Sequence, residues 1–399
     1  MAHLDQIARL NPQLNAIVTL TAEKALQRAK QLDNGEFAGP LHGLPVVHKD
    51  LFDTAGIRTT YGSKLYEYHI PEQDCLMVER MESAGAICLG KSNTPEFGAG
   101  SQTFNEIFGV TRNPYDPTKT CGGSSGGSAV ALATGMAALA NGTDLGGSLR
   151  NPASFCGVVG LRPSRVPLDV DGPMGRTVED VALLLSVITK TEFSPLDSNL
   201  KGLRVAWFKN LGDVPFEPEV LQVVNSRRKT FEAMGCLVED AEPDFTGADE
   251  SFRILRAWNS ASKHADRVAF LKATLAKEVE RGLALTEAEV ERAKTLQSEL
   301  RHRVGVFFER FDAFVLPTVQ VLPFAVELPF VREINGIALE TYIDWMKSCY
   351  YISATGHPAI SVPAGFSESG LPIGLQIVGK HQGERRLLEI AYGFEQYGK

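Results

Sequence analysis

Apolar residues recur at the three- and four-residue spacing of a helix face in Ala25, Leu26, Ala29 and Leu32. Asn34-Gly35 supplies a stop, and the first forty residues read as helical. The pattern then changes. Gly43-Leu-Pro-Val-Val-His-Lys-Asp50 is a short apolar strand running into a polar end. A helix is predicted over 74–84 and a short buried strand over Ala86-Ile-Cys-Leu89. Strand, helix and strand in succession imply crossover units on one sheet. Ser128 to Ala140 is alanine-rich and predicts a buried helix flowing into a strand. Thr177 is placed to cap the helix opened by Val178-Glu-Asp180. A strand over 203–208 and a helix over 218–234, ended by Gly235, come next. Residues 251–311 are mostly helical and charged. Strands are predicted over 313–316, 360–363 and 375–378, with a closing helix over 385–396. No period of about 20–50 residues appears, which excludes a repeat protein. The alternation predicts an α/β protein with a large mixed sheet.

Composition narrows the function classes. With 399 residues the chain is long enough for two or three domains or one large α/β domain. Apolar residues make up 44% and charged residues 22%, as in an ordinary globular protein. The net charge is −8 and no Lys/Arg block interrupts the chain, so it lacks the footprint of a nucleic-acid binder. The six cysteines are scattered without CxxC spacing, and neither a zinc site nor a redox motif is expected. The N-terminus lacks a basic start followed by an apolar run. No stretch of about 20 apolar residues is present to span a bilayer. A cytoplasmic protein without membrane contact is the expectation.

The chemistry concentrates in residues 121–150. Two Gly-Gly-Ser clusters flank one alanine-rich helix, which can fold back and bring Ser124 and Ser148 together. Glycines there permit positive φ and let backbone N–H groups converge. Converging N–H groups stabilise the oxyanion formed when a carbonyl is attacked. A flexible linker is the bland alternative. The well-formed apolar helix between the glycines, and Leu149-Arg-Asn-Pro152 after them, argue against it.

These residues resemble the amidase signature family. Gly122-Gly-Ser-Ser-Gly-Gly-Ser128, Gly142-Thr-Asp-Leu-Gly-Gly-Ser-Leu-Arg150 and Gly43 to Asp50 match its motifs, and Ser124 and Ser148 lie 24 residues apart, as its two catalytic serines do. Pro358-Ala-Ile-Ser-Val-Pro-Ala-Gly365 and Gly370-Leu-Pro-Ile-Gly-Leu-Gln376 extend the match from about residue 10 to the C-terminus. The resemblance implies the amidase signature fold: one domain over 1–399 with a mixed central sheet of about ten or eleven strands sandwiched by helices. It implies hydrolysis of carboxylic amides through an acyl-enzyme, often with some esterase activity, and no metal or cofactor. Homodimers are common among members.

By the same resemblance, Ser148 is the nucleophile, Ser124 the bridging serine after a cis peptide bond, and Lys49 the base. A serine hydroxyl needs a neighbour to take its proton. Lys49 must be neutral to do so, and burial, consistent with the apolar Leu44–Val47 run before it, lowers a lysine pKa. The oxyanion hole falls to the N–H groups of Leu145, Gly146, Gly147 and Ser148. Ser125, Thr143, Asp144 and Arg150 support the site, with Arg150 paired to a carboxylate or, as the alternative, free to bind an anionic substrate. Gly98, Ala99, Gly100, Gly122 and Gly123 are assigned to substrate binding. Small neutral amides, anilides and aryl carbamates are the expected substrates.

Several features compete with this reading. Gly85-Ala-Ile-Cys-Leu-Gly-Lys-Ser92 fits the P-loop pattern, but its centre reads as a buried strand, and Pro95 disfavours a helix at Thr94. Asn141-Gly-Thr143 fits a glycosylation acceptor without a secretory leader. His48 adjoins Lys49 on a strand and should point to the opposite face. His357, at a turn before Pro358, is a candidate pocket residue. One branch of the family is the glutaminase subunit of a tRNA-dependent amidotransferase. Gly100 to Thr111 and Tyr342-Ile-Asp-Trp-Met346 look more like stand-alone amidases such as aryl acylamidases and urethanases. The chain is shorter than is usual in the family, and mobile loops are expected to be missing near 164–170 and 190–200.

Overall fold

Eleven strands join one mixed sheet in the computed structural model, which describes residues 1–35, 39–165 and 168–398. In chain order they are β1 (Ile17–Leu20), β2 (Pro45–Lys49), β3 (Ile87–Ser92), β4 (Leu139–Asp144), β5 (Val159–Arg162), β6 (Val170–Gly175), β7 (Arg204–Trp207), β8 (Leu237–Asp240), β9 (Ala313–Pro317), β10 (Ala359–Phe366) and β11 (Pro372–Gly379). Across the sheet they run β1-β3-β2-β4-β6-β5-β10-β11-β9-β7-β8. β2 lies parallel to both β3 and β4. The strands from β4 to β9 are antiparallel to their neighbours, and β9, β7 and β8 are again parallel.

The helices are α1 (Ala2–Leu14), α2 (Ala22–Asp33), α3 (Leu76–Ser83), α4 (Gly126–Ala133), α5 (Arg150–Cys156), α6 (Val178–Thr189), α7 (Pro218–Ser226), α8 (Arg228–Ala233), α9 (Ala248–His264), α10 (Ala273–Leu283), α11 (Glu287–Arg310), α12 (Lys347–Thr355) and α13 (Glu384–Tyr397). Successive strand residues face opposite sides of a sheet. Accordingly Val46 and Leu139 pack into one core with α6 and α13, while Val47 and Ala140 pack into another with α1 and α4. The same alternation sends Lys49 to the α4 side and His48 to the other.

The α/β class and the large mixed sheet agree with the sequence reading. Thr177 caps α6 as expected, accepting from Asp180 N at 3.1 Å. Other elements differ. The N-terminal region is two helices separated by β1, a strand pairing antiparallel with β3. The expected helix over 218–234 is two helices that meet at Arg227. β5, β6 and β8 were not predicted. The P-loop-like stretch is mostly β3, where Lys91 is buried and donates to Thr54 Oγ1 at 2.8 Å. Residues 190–200 include a cis Ser194–Pro195 peptide. Of 164–170, Val166 and Pro167 lie outside the described residues. Among the described residues no helix is long and apolar enough to cross a membrane.

Candidate active site

The C-terminal ends of β2 and β4, which pair at Val47 and Ala140, bring Lys49 beside the two glycine-rich segments. Asn141 in β4 fixes the entry, its Oδ1 accepting from Lys49 N at 2.9 Å. The same side chain places Nδ2 3.0 Å from His48 Nδ1 on the opposite face. Asn141 is therefore buried and occupied, not a glycosylation acceptor. Burial, with Lys91 adding to it, lowers the His48 pKa to about 3, so this histidine is neutral.

Lys49 is fully buried, and its Nζ lies 2.7 Å from Ser124 Oγ, 3.0 Å from Ser125 Oγ and 2.8 Å from Thr143 Oγ1. Among the described residues it forms no ion pair. Hydroxyls both donate and accept. The nest therefore satisfies a charged lysine with three acceptors and a neutral one with a returned hydrogen bond. Burial lowers the Lys49 pKa from 10.5 to about 7, against the opposing pull of Asp169, Asp144 and Asp171. The Gly123–Ser124 peptide is cis. Asn151 holds Gly123 at both its backbone groups: its Oδ1 accepts from Gly123 N at 2.8 Å, and its Nδ2 donates to Gly123 O, the carbonyl of the cis peptide, at 2.5 Å.

Ser148 sits half-exposed in the loop between β4 and α5. Its carbonyl accepts from Ser125 N at 3.2 Å, which joins the two segments. Among the described residues no hydrogen bond links Ser148 Oγ to Ser124 Oγ, so the first link of the expected relay is not formed in this conformation. Ser148 lines a cavity of about 80 Å³, shared with Gly98, Gly100, Leu145 and Phe252.

Asp144 holds the loop. Its carboxylate accepts from Gly147 N at 2.8 Å, Leu149 N at 3.1 Å, and Arg150 Nε and Nη2 at 3.0 and 2.9 Å. Arg162 Nη1 adds an ion pair at 3.3 Å. Burial alone would raise this acid, but the two guanidiniums draw its pKa down to about 2. Gly147 thus departs from the expected oxyanion role, because its N–H is already spent on Asp144. Among the described residues the N–H groups of Leu145, Gly146 and Ser148 have no acceptor and stay open.

Arg150 places all five N–H donors: two on Asp144, and one each on Cys349 O, Gln376 Oε1 and Ser353 Oγ at 2.9, 2.6 and 2.7 Å. The carboxylate-pairing reading therefore holds for this residue, and no donor is left for a substrate anion.

Of the glycines, Gly98 has φ +69°, and a Cβ there would stand 3.5 Å from Ser124 Oγ and 3.9 Å from Thr143 Oγ1. Gly100 lines the small cavity, and the Ala99 carbonyl accepts from Lys272 Nζ. Gly122 and Gly123 sit behind the serines, where added Cβ atoms would meet Asn151 Oδ1 at 2.5 Å and Gln102 C at 2.7 Å. They shape the backbone and do not line the cavity. His357 stacks on Phe308 at 4.9 Å, away from the cavity. A second, open cavity of about 530 Å³ reaches Thr143, with Phe97, Asp169 and Asp171 in its wall.

Sequence reasoning missed the far wall: Phe252 and Arg256 on α9, and Tyr342 and Met346 near α12. It also missed Asn151, although this residue directly follows the Arg150 of the quoted motif.

Residues 1–388 match the family profile described as Amidase. A glutamyl-tRNA(Gln) amidotransferase subunit from Alkaliphilus metalliredigens (strain QYMF) is 35% identical over 454 aligned positions, covering 99% of this chain and 91% of that protein. An acylamidase of Rhodococcus erythropolis is 33% identical, covering 99% and 90%. The crystal structure of a bacterial aryl acylamidase of the amidase signature enzymes superposes with a TM-score of 0.91 at 26% identity, covering 99% of this chain and 91% of that one.

Proposed function

The chain belongs to the amidase signature family, and on that premise we propose that it acts alone, cleaving amides through an acyl-enzyme on Ser148. It is a hydrolase of amide C–N bonds. The observation that carries the finer reading is the buried Lys49 amine, hydrogen-bonded to Ser124 beside the loop that holds Ser148. In this reading a neutral Lys49 takes the Ser124 proton as Ser124 takes that of Ser148. Ser148 Oγ attacks the carbonyl carbon. The oxyanion meets the open N–H groups of Leu145, Gly146 and Ser148. Collapse breaks the C–N bond, and the relay returns a proton through Ser124 to the leaving amine. Water then repeats the attack on the ester and releases the acid.

The two cavities support a division of the substrate. The small one beside Ser148 suits a short acyl group, and the larger open one at Thr143 suits an aryl amine. Anilides of short acids follow as preferred substrates, with aryl carbamates and esters within reach. We read 1–399 as a single cytoplasmic domain.

A second reading has support of its own, because relatives such as the one from Alkaliphilus metalliredigens are named as components of an amidotransferase. Release of 4-nitroaniline from 4-nitroacetanilide, without ATP or tRNA, separates the two. Turnover by the native enzyme and none by Ser148→Ala is the expected result. Glutaminase activity that needs partner proteins, with no anilide turnover, would favour the second reading.

A further inference from the structure

We infer that the cavity beside Ser148 admits a short, uncharged acyl arm and rejects a carboxylate, and that Glu278 sets this preference through Arg256. The inference rests on the amidase reading of Ser148. Leu145, Phe252 and Met346 give the cavity apolar lining, and Arg256, Tyr342 and Ser260 give it polar lining. An arginine in the lining of an acyl pocket ordinarily invites an anion. Here it is already compensated. Arg256 Nη1 lies 3.1 Å from Glu278 Oε1, with the two side chains only 11% and 12% exposed. Arg256 Nη2 donates to the Tyr342 hydroxyl.

The charges behind the same wall also balance. Lys272 donates from Nζ to Ala99 O, and its backbone N donates to Glu96 Oε2 at 2.7 Å. The Glu96 carboxylate also draws on the Lys272 charge, so each of the two cations, Arg256 and Lys272, has an anion near it. A substrate carboxylate entering this cavity would lose its hydration and meet no uncompensated positive charge. An alkyl group or a neutral carbonyl carries no such penalty, and Arg256 and Tyr342 can still orient it. Glu278 does not line the cavity. It is a positioning residue that acts by cancelling the charge of Arg256. The substrate class is therefore amides of short monocarboxylic acids, not half-amides of dicarboxylic acids.

The test compares butyramide with succinamate, a neutral and an anionic amide of similar length. Binding is measured by calorimetry on Ser148→Ala, and turnover on the butyryl and succinyl 4-nitroanilides with Ser148 intact. The neutral member should be preferred by about tenfold or more. Glu278→Gln frees the charge of Arg256 and should move the ratio toward the anion by about tenfold. Arg256→Gln leaves Glu278 uncompensated and should move it the other way. A merely structural role would lower both substrates together and leave the ratio unmoved. Equal binding of the two amides, no detectable binding of either, or a ratio unchanged in both variants overturns the inference. Binding that follows the expected pattern without anilide turnover would sustain it while counting against the stand-alone amidase reading.

Discussion

Two buried cations stand on either side of the same loop and behave in opposite ways. Arg150 and Lys49 are both fully buried. Arg150 meets a carboxylate, two carbonyl-type oxygens and a hydroxyl, and with Arg162 it keeps Asp144 ionised. Lys49 meets only hydroxyls, and burial lowers its pKa to about 7. Burial alone does not decide whether a cation serves the fold or the chemistry. The partner decides. A carboxylate partner repays desolvation and fixes the charge, whereas a hydroxyl nest tolerates the neutral form and leaves a usable base.

Substitutions can break this contrast from either side. Lys49→Met should lower amide turnover by about 10²–10⁴-fold, measured as kcat/KM on an anilide. It should also raise the melting temperature by a few degrees. The sign follows from proton binding. The unfolded chain holds the Lys49 proton up to 10.5 and the folded chain only to about 7, so native stability rises with pH between these values. The advantage of Lys49→Met should be fullest below pH 7 and should fade as pH approaches 10.5. Equal melting across that range would remove the buried-base reading.

Asp144→Asn acts on the other side. Two buried guanidiniums would lose their counterion, and urea unfolding should show a loss of about 3–5 kcal/mol. In the native protein the contribution of Asp144 is present above its ordinary value of 3.8 and falls away as pH drops through about 2. A smaller effect sharpens the contrast without breaking it. Native kcat/KM should rise with pH through about 7 and then level as Lys49 deprotonates. The smallest concerns Asp171, which pairs with Thr143 across β4 and β6 and helps hold the Lys49 proton. Asp171→Asn should move that acid limb down by about a few tenths of a pH unit, and more at low salt.

The sequence was most legible where chemistry is contiguous. Ser124, Ser125, Thr143, Asp144, Ser148 and Arg150 lie in two short motifs, and the structure gathers them with Lys49. Phe252 and Arg256 come from about a hundred residues downstream, inside a helix whose pattern reports only packing, and Tyr342 stood out by resemblance without being placed in the cavity. Part of the fold was hidden for a related reason. β6 contains Gly172 and Pro173 and reads as a loop. Yet a Cβ at Gly172 would stand 2.4 Å from Leu161 O, so close packing against β5 requires the glycine that disguises the strand. β1 is four residues long with only its first buried, too short for a period to emerge. No glycine or proline marks the break at Arg227.

The residues assigned to bond cleavage all fall between Lys49 and Arg150, on strands and loops at one end of the sheet. The wall facing Ser148 combines Phe252, Arg256 and Ser260 of α9, inserted with α10 and α11 between β8 and β9, with Tyr342, Ile343 and Met346. The proposed cleavage residues and half of this cavity's lining thus come from separate stretches of the gene, while Gly98, Gly100, Leu145 and Gly146 line it from within the first. On the proposed reading, exchanging the inserted helices should shift the preferred acid while the proposed cleavage residues stay unchanged. That division offers both a route by which such chains diversify and a defined segment for a library.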